Sequence, residues 1–131
     1  HDETDIIASS TARLAKSLNV KAVISLTGSG KSAKKMARYR IENDIFAVCH
    51  DEKVARSLTI VWGIEPMLVI KKSTLNDMLR NTFKNALSFG WINRDHSYIL
   101  TAGFPAGVEG STNLIRIVRK NEIDYFAKLE P

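Results

Sequence analysis

Apolar positions along the chain switch between two periods. Ile7, Thr11, Leu14 and Leu18 recur at helical spacing behind Asp2, Glu3 and Asp5. This predicts an N-terminal helix within residues 1–20, with acids in its first turn and Asn19 at its end. Ala22–Leu26 is a short apolar run that stops at Thr27-Gly28-Ser29-Gly30, the pattern of a buried strand followed by a tight turn. Lys31 to Tyr39 reads as a helix with Ala33, Met36, Ala37 and Arg40 on one face. Ile45–Cys49 is a second buried strand, and Asp51-Glu52 opens a short helix through Val54, Ala55 and Leu58. Trp62 to Pro66 reads as a bend, with a third strand over Met67–Ile70.

The longest regular stripe follows. Leu75, Met78, Leu79, Thr82, Phe83, Ala86 and Leu87 keep the helical rule, with Ser73 expected as the cap and Gly90 at the stop position. Tyr98–Thr101 is a fourth strand. An eleven-residue loop from Ala102 to Thr112 leads to a last strand, Leu114–Val118, where Arg116 alternates with Ile115 and Ile117 as on a sheet edge. Residues 119–131 read as a polar, peripheral tail. Strands alternating with helices predict one α/β domain over residues 1–131 with a largely parallel sheet. Ligands of such sheets bind beyond the carboxyl ends of the strands, where the winding reverses.

Composition changes this picture little. A chain of 131 residues that is 44% hydrophobic and 25% charged is an ordinary globular domain, and its longest apolar runs are too short for a membrane span. One cysteine, Cys49, leaves no internal disulfide and points to a reducing, cytoplasmic setting, with no signal peptide or lipidation motif in view. A start at His1 rather than Met reads as a fragment or a processed product. Cys49 is expected to be a buried small hydrophobe, His50 part of a helix entry, and Trp62 and Trp91 packing residues. The histidines are too scattered for a metal site.

Charge is more informative by position than by sum. The net charge is +5, and residues 31–40 carry Lys31, Lys34, Lys35, Arg38 and Arg40 with no acid, leaving 14 basic and 14 acidic residues elsewhere. Acids normally fill the first helical turn, where they offset the positive end of the dipole. Asp5, Asp51 with Glu52, and Asp77 do so, but the helix after Gly30 places lysines there. A strand, a Gly/Ser turn and a helix N-terminus together form an anion-binding arrangement. The candidate phosphate-binding residues are Thr27, Gly28, Ser29, Gly30, Lys31 and Ser32. A solvated basic face is the alternative use of the same charges. The P-loop pattern fails because Ser25 stands where its first glycine belongs, which argues against nucleotide hydrolysis. Nucleic acid is disfavoured, since no aromatic platform interleaves the cations. Five of the seven glycines lie in the two loops after the first and fourth strands. The second loop offers Gly103, Gly107, Gly110, Ser111 and Thr112, or else is a flexible hairpin.

Three ordered segments carry a resemblance. Leu26 to Ala33, continuing to Ala37-Arg38-Tyr39-Arg40, resembles the "LT-x-SG-[RKY]-[ST]-A…RYR" segment of the C-terminal domain of bacterial pyruvate kinases. Leu58 to Pro66 is similar to the "L-x-L-x-WGV-x-P" segment, and Thr101 to Arg116 to the "TAGVPVG-x-x-GTTNLIKV" ending. The resemblance implies a three-layer α/β/α sandwich with a five-stranded mixed sheet, mainly parallel, its last strand antiparallel. It implies a parent transferring phosphate from phosphoenolpyruvate to ADP in glycolysis. The Mg²⁺ and K⁺ of that reaction belong to a separate catalytic barrel and no cofactor to this domain, so the chain is expected to be inactive alone. It implies a regulatory domain that binds a phosphorylated effector and forms subunit contacts in a homotetramer, with the catalytic domain as a further partner and no membrane or nucleic acid. Thr27, Ser29, Gly30, Lys31 and Ser32 match that family's phosphate loop, while Gly28 stands where relatives carry a bulkier residue. Gly103–Thr112 matches the second effector loop in its bacterial form. The animal-type "WRPGSG" loop is absent, which leaves AMP and sugar monophosphates beside fructose 1,6-bisphosphate as effectors.

Overall fold

The computed structural model describes residues 3–39, 41–103 and 112–130. Its first helix, α1, runs Glu3–Leu18 and ends at Asn19, whose φ of 51° is the left-handed stop that asparagine tolerates. Then come β1 (Ala22–Leu26), α2 (Lys31–Arg38), β2 (Asp44–Cys49), α3 (Glu52–Leu58), β3 (Ile64–Leu68), α4 (Leu75–Ser88), β4 (Tyr98–Ala102) and β5 (Leu114–Val118). A 3₁₀ turn, Lys120–Glu122, leads into α5, Ile123–Ala127.

The sheet order is β3-β2-β1-β4-β5, with β5 antiparallel to β4 and the other pairs parallel. Burial on both faces explains why β1, β2 and β4 are apolar along nearly their whole length. Ala22, Ile24, Phe46, Val48, Tyr98 and Leu100 face the α4 and α5 side, where Leu79, Phe83 and Ala86 meet them. Val23, Ile45, Ala47 and Ile99 face the other side, against Ala8 and Ala15 of α1, Ala33 and Met36 of α2, and Leu58 of α3. Helices on both faces of a mixed sheet make the three-layer α/β/α sandwich expected from the sequence. Tyr98 is fully buried, and its hydroxyl accepts the Asn93 N–H at 3.1 Å.

Four local expectations are corrected. β3 is Ile64–Leu68, not Met67–Ile70. Pro66 suggested a bend, but β3 is the outer strand of the sheet, where a residue without an N–H is tolerated. The cap of α4 is Thr74 rather than Ser73, because the Thr74 hydroxyl stands three residues before the Asp77 N–H and accepts it at 3.1 Å. Trp62 is 85% exposed and packs no core. Trp91 does pack, its ring 5.0 Å from that of Phe46.

The fourth correction concerns the tail, which is not peripheral. Ile123, Phe126 and Ala127 form a short i, i+3, i+4 stripe that joins the core, with the Phe126 ring stacked 5.1 Å from Phe83. Polar ties fix it there. Arg80 donates to the Leu129 carbonyl at 2.7 Å, Asn76 donates to the Glu130 carbonyl at 2.9 Å, and Arg116 pairs with Glu122 at 2.7 Å.

Two predictions follow from this packing. Phe126→Ala should lower unfolding free energy by about 3 kcal/mol, the usual cost of emptying a buried aromatic site, read by urea denaturation; a peripheral tail would lose almost nothing. Cys49 is 1% exposed at the end of β2, and burial pushes its thiol pKa up. A raised folded-state pKa means the neutral thiol stabilises the fold below its unfolded pKa, and this contribution fades as pH rises through the alkaline range. Cys49 should therefore resist a thiol reagent at pH 8 in the folded chain and react rapidly in urea.

Candidate functional site

The winding of the sheet reverses between β1 and its neighbour β4, so the loops after these strands meet at one place. β1 hands over to α2 through Thr27-Gly28-Ser29-Gly30. The Thr27 N–H reaches back to the Val48 carbonyl at 2.9 Å, anchoring the turn to β2. The Thr27 hydroxyl accepts the Gly30 N–H at 2.9 Å, and the Ser29 hydroxyl accepts the Lys31 N–H at 3.3 Å. These short bonds curl the chain into the helix.

Gly30 is the N-cap of α2, with φ 86°. That left-handed backbone favours glycine. A Cβ there would also stand 3.1 Å from Leu58 Cδ2, so turn conformation and packing against α3 make the same demand. Glycine has no side chain with which to cap. α2 therefore lacks the capping side chain that Asp51 supplies to α3 and Thr74 to α4, and it has no acid in its first turn. Lys31, exposed at this end, begins the first turn of α2, where the neighbouring helices place acids. At its other end, the Tyr39 hydroxyl donates to Asp5 of α1 at 3.0 Å, and this hydrogen bond to a carboxylate raises the Tyr39 pKa.

Among the described residues, a side-chain contact ties the end of the second loop to the first turn of α2. The Ser32 and Thr112 hydroxyls, 80 residues apart in sequence, are hydrogen-bonded. Both side chains are buried, Ser32 at 6% and Thr112 at 3% exposure. The Asn113 N–H bonds the Ala102 carbonyl at 3.1 Å and closes the base of the loop on β4. Thr27 is buried, Gly28 and Gly103 are half-buried, and Ser29 and Lys31 are exposed. Gly107, Gly110 and Ser111, and Arg40 of the basic segment, lie outside the described residues. Among the described residues, no three acidic, histidine or cysteine side chains gather where they could hold a metal ion.

Sequence reasoning placed both loops at one end of the sheet but did not foresee the Ser32–Thr112 bond. Only the two hydroxyl-rich loop ends hinted at it. Directly beneath, Ser25 and Thr101 are register partners on β1 and β4, fully buried, with no hydrogen-bond partner for either hydroxyl among the described residues. The P-loop comparison had singled out Ser25 only as a missing glycine.

Sheet order, winding reversal and paired loops define an open α/β domain with two loops meeting at one end of the sheet. Comparison with known proteins makes this specific. Residues 5–118 match the family model described as "Pyruvate kinase, alpha/beta domain". Similar proteins include pyruvate kinases of Staphylococcus epidermidis, 39% identical over 111 residues, and of Lactobacillus delbrueckii subsp. bulgaricus, 38% identical over 114 residues. A Staphylococcus aureus pyruvate kinase is 37% identical over 111 residues. These matches cover 85%, 87% and 85% of this chain, and 19% of the length of each relative. The chain belongs to the pyruvate kinase α/β-domain family.

The hydroxyl contact gives a test. Thr112→Val keeps the shape of the side chain but leaves the buried Ser32 hydroxyl without its partner. It should cost about 1–3 kcal/mol of stability in urea unfolding, with Thr112→Ser recovering much of the loss.

Proposed function

We propose that this chain is the regulatory domain of a pyruvate kinase, holding a phosphorylated small-molecule effector between the loops after β1 and β4. The observation that carries the reading is the N-terminus of α2. It has a glycine cap, no acid in its first turn, and Lys31 beside it, where α3 and α4 have capping side chains and acids. A phosphate dianion brings negative charge and acceptor oxygens to the positive end of the helix dipole.

The roles divide by chemistry. Binding exchanges the internal bonds of the Gly30 and Lys31 N–H groups and of the Ser32 hydroxyl for phosphate oxygens. The N–H groups of residues 29–32 and the Ser29 and Ser32 hydroxyls then donate to the phosphate, Lys31 supplies charge, and Thr27 and Gly30 shape the turn. The loop carrying Gly103 and Thr112, with Gly107, Gly110 and Ser111, closes over the remainder of the ligand. AMP, a sugar monophosphate and fructose 1,6-bisphosphate all present the required group. The parent reaction, phosphate transfer from phosphoenolpyruvate to ADP with Mg²⁺ and K⁺, belongs to another part of the longer enzyme in a cytoplasmic setting. This chain contributes regulation and subunit contacts within a homotetramer. An effector changes the parent's activity to the extent that it binds one conformation better than another. A purely assembling domain would show the subunit contacts without a ligand response.

Titration calorimetry of the chain with AMP, glucose 6-phosphate and fructose 1,6-bisphosphate tests the reading. Saturable binding by at least one ligand is expected. Lys31→Ala should weaken it by about tenfold or more, the worth of one charge-assisted contact. Raised salt should weaken the wild type more than the variant. No binding by any of the three, or affinity untouched by the substitution, contradicts it.

A further inference from the structure

The turn between α3 and β3 holds two large apolar side chains in water. Ile60 is 88% exposed and Trp62 85% exposed, and they are two residues apart. Leu68 and Ile70 at the end of β3 form a second close pair, but at 49% and 74% exposure they are less open than Ile60 and Trp62, and Phe89 and Tyr125 stand on other elements.

The turn is braced. The Val61 N–H bonds the Leu58 carbonyl at 3.1 Å, and the Ile64 N–H bonds the Val61 carbonyl at 3.2 Å. Gly63 takes φ 86° between them, and Leu58 and Ile64 on either side are buried. The indole is thus presented on a fixed support, which lowers the ordering cost of covering it.

Trp62 also lines a groove of about 800 Å³. Val61 and Ile41 line it as well, and α2 contributes Lys34, Ala37 and Arg38. Lys34 and Arg38 are exposed and stand one helical turn apart. Glu42 is the acid in the lining, so cations outnumber it. A tryptophan with aliphatic neighbours and a cationic rim has the composition of an interface anchor.

This groove is separate from the candidate anion site. The phosphate-facing end of α2 is its N-terminus, beyond the carboxyl end of β1, whereas Trp62 precedes the amino end of β3.

We infer that the Ile60–Trp62 turn and its groove are the docking surface for the remainder of the polypeptide that carries this domain. The docking face is an apolar one with acidic residues at its edge. The inference rests on the reading of the chain as one domain of a longer enzyme. About four-fifths of each similar pyruvate kinase lies outside the stretch matched here. A body that large, joined in one chain, covers part of this domain's surface, and a rigid apolar anchor with complementary charge is where cover is most favourable.

Hydroxyl-radical footprinting read residue by residue tests this. The 131-residue chain is compared with the longer polypeptide from the same reading frame, with exposed Phe89 as internal reference. Trp62 labelling should fall roughly threefold or more in the longer polypeptide, as burial in an interface core imposes, while Phe89 changes little. Lys34→Glu combined with Arg38→Glu should restore Trp62 labelling toward that of the isolated chain.

Equal Trp62 labelling in both proteins overturns the docking surface. So does a reading frame that ends with these 131 residues, or protection in the short chain that grows with its concentration, which would mark a second copy as the occupant. Protection that survives the double charge reversal overturns the acidic edge. Calorimetry with phosphorylated ligands is independent of this readout. Failure of effector binding with Trp62 protected refutes the regulatory reading and leaves docking intact.

Discussion

Everything in this domain depends on burying both faces of β1. It lies in the middle of the sheet, between β2 and β4, and its residues alternate between the α4/α5 side and the α1/α2/α3 side. A strand in that position can satisfy its polar backbone only through its two neighbours, and its side chains only by packing. Freedom returns at its carboxyl end. There the chain leaves the sheet at Thr27, and the donors of the next helix begin.

The candidate site is the outcome of that exit under close packing. α2 must lie tightly against the sheet, with Ala33 and Met36 fully buried, and against Leu58 of α3. Tight packing requires glycine at position 30, and glycine removes the cap. The same substitution that lets the layers approach leaves the helix end electropositive. Backbone conformation, layer packing and the missing cap thus meet at one residue. The other half of α2 lines the groove beside Trp62, so an eight-residue helix about 12 Å long spans the distance between two surfaces of different character.

Much of the fold could be read in the chain because doubly covered strands leave continuous apolar runs. Ala22–Leu26 and Leu114–Val118 have the bounds their runs predict. The lysine-rich start of α2 was equally visible, since it breaks a rule that the neighbouring helices keep. What escaped notice depended on tertiary context. Pro66 reads as a breaker until the strand carrying it is known to lie at the edge of the sheet. Trp62 reads as core until the turn that carries it is seen to face outward. Ile123, Phe126 and Ala127 form too short a stripe to stand out among charged neighbours. The Ser32–Thr112 bond joins residues whose proximity only the sheet order creates, and the buried hydroxyls of Ser25 and Thr101 carry no signal in sequence at all.

The small terminal helix separates two meanings of the word domain. The stretch shared with the family ends at residue 118, yet Ile123, Phe126 and Ala127 sit in the same core as Phe83 and Tyr98. The unit recognised by common ancestry is therefore shorter than the unit that excludes water. A chimera joined at the ancestral boundary would carry a sheet with part of one face stripped. The substitute sequence would have to bring its own Phe126.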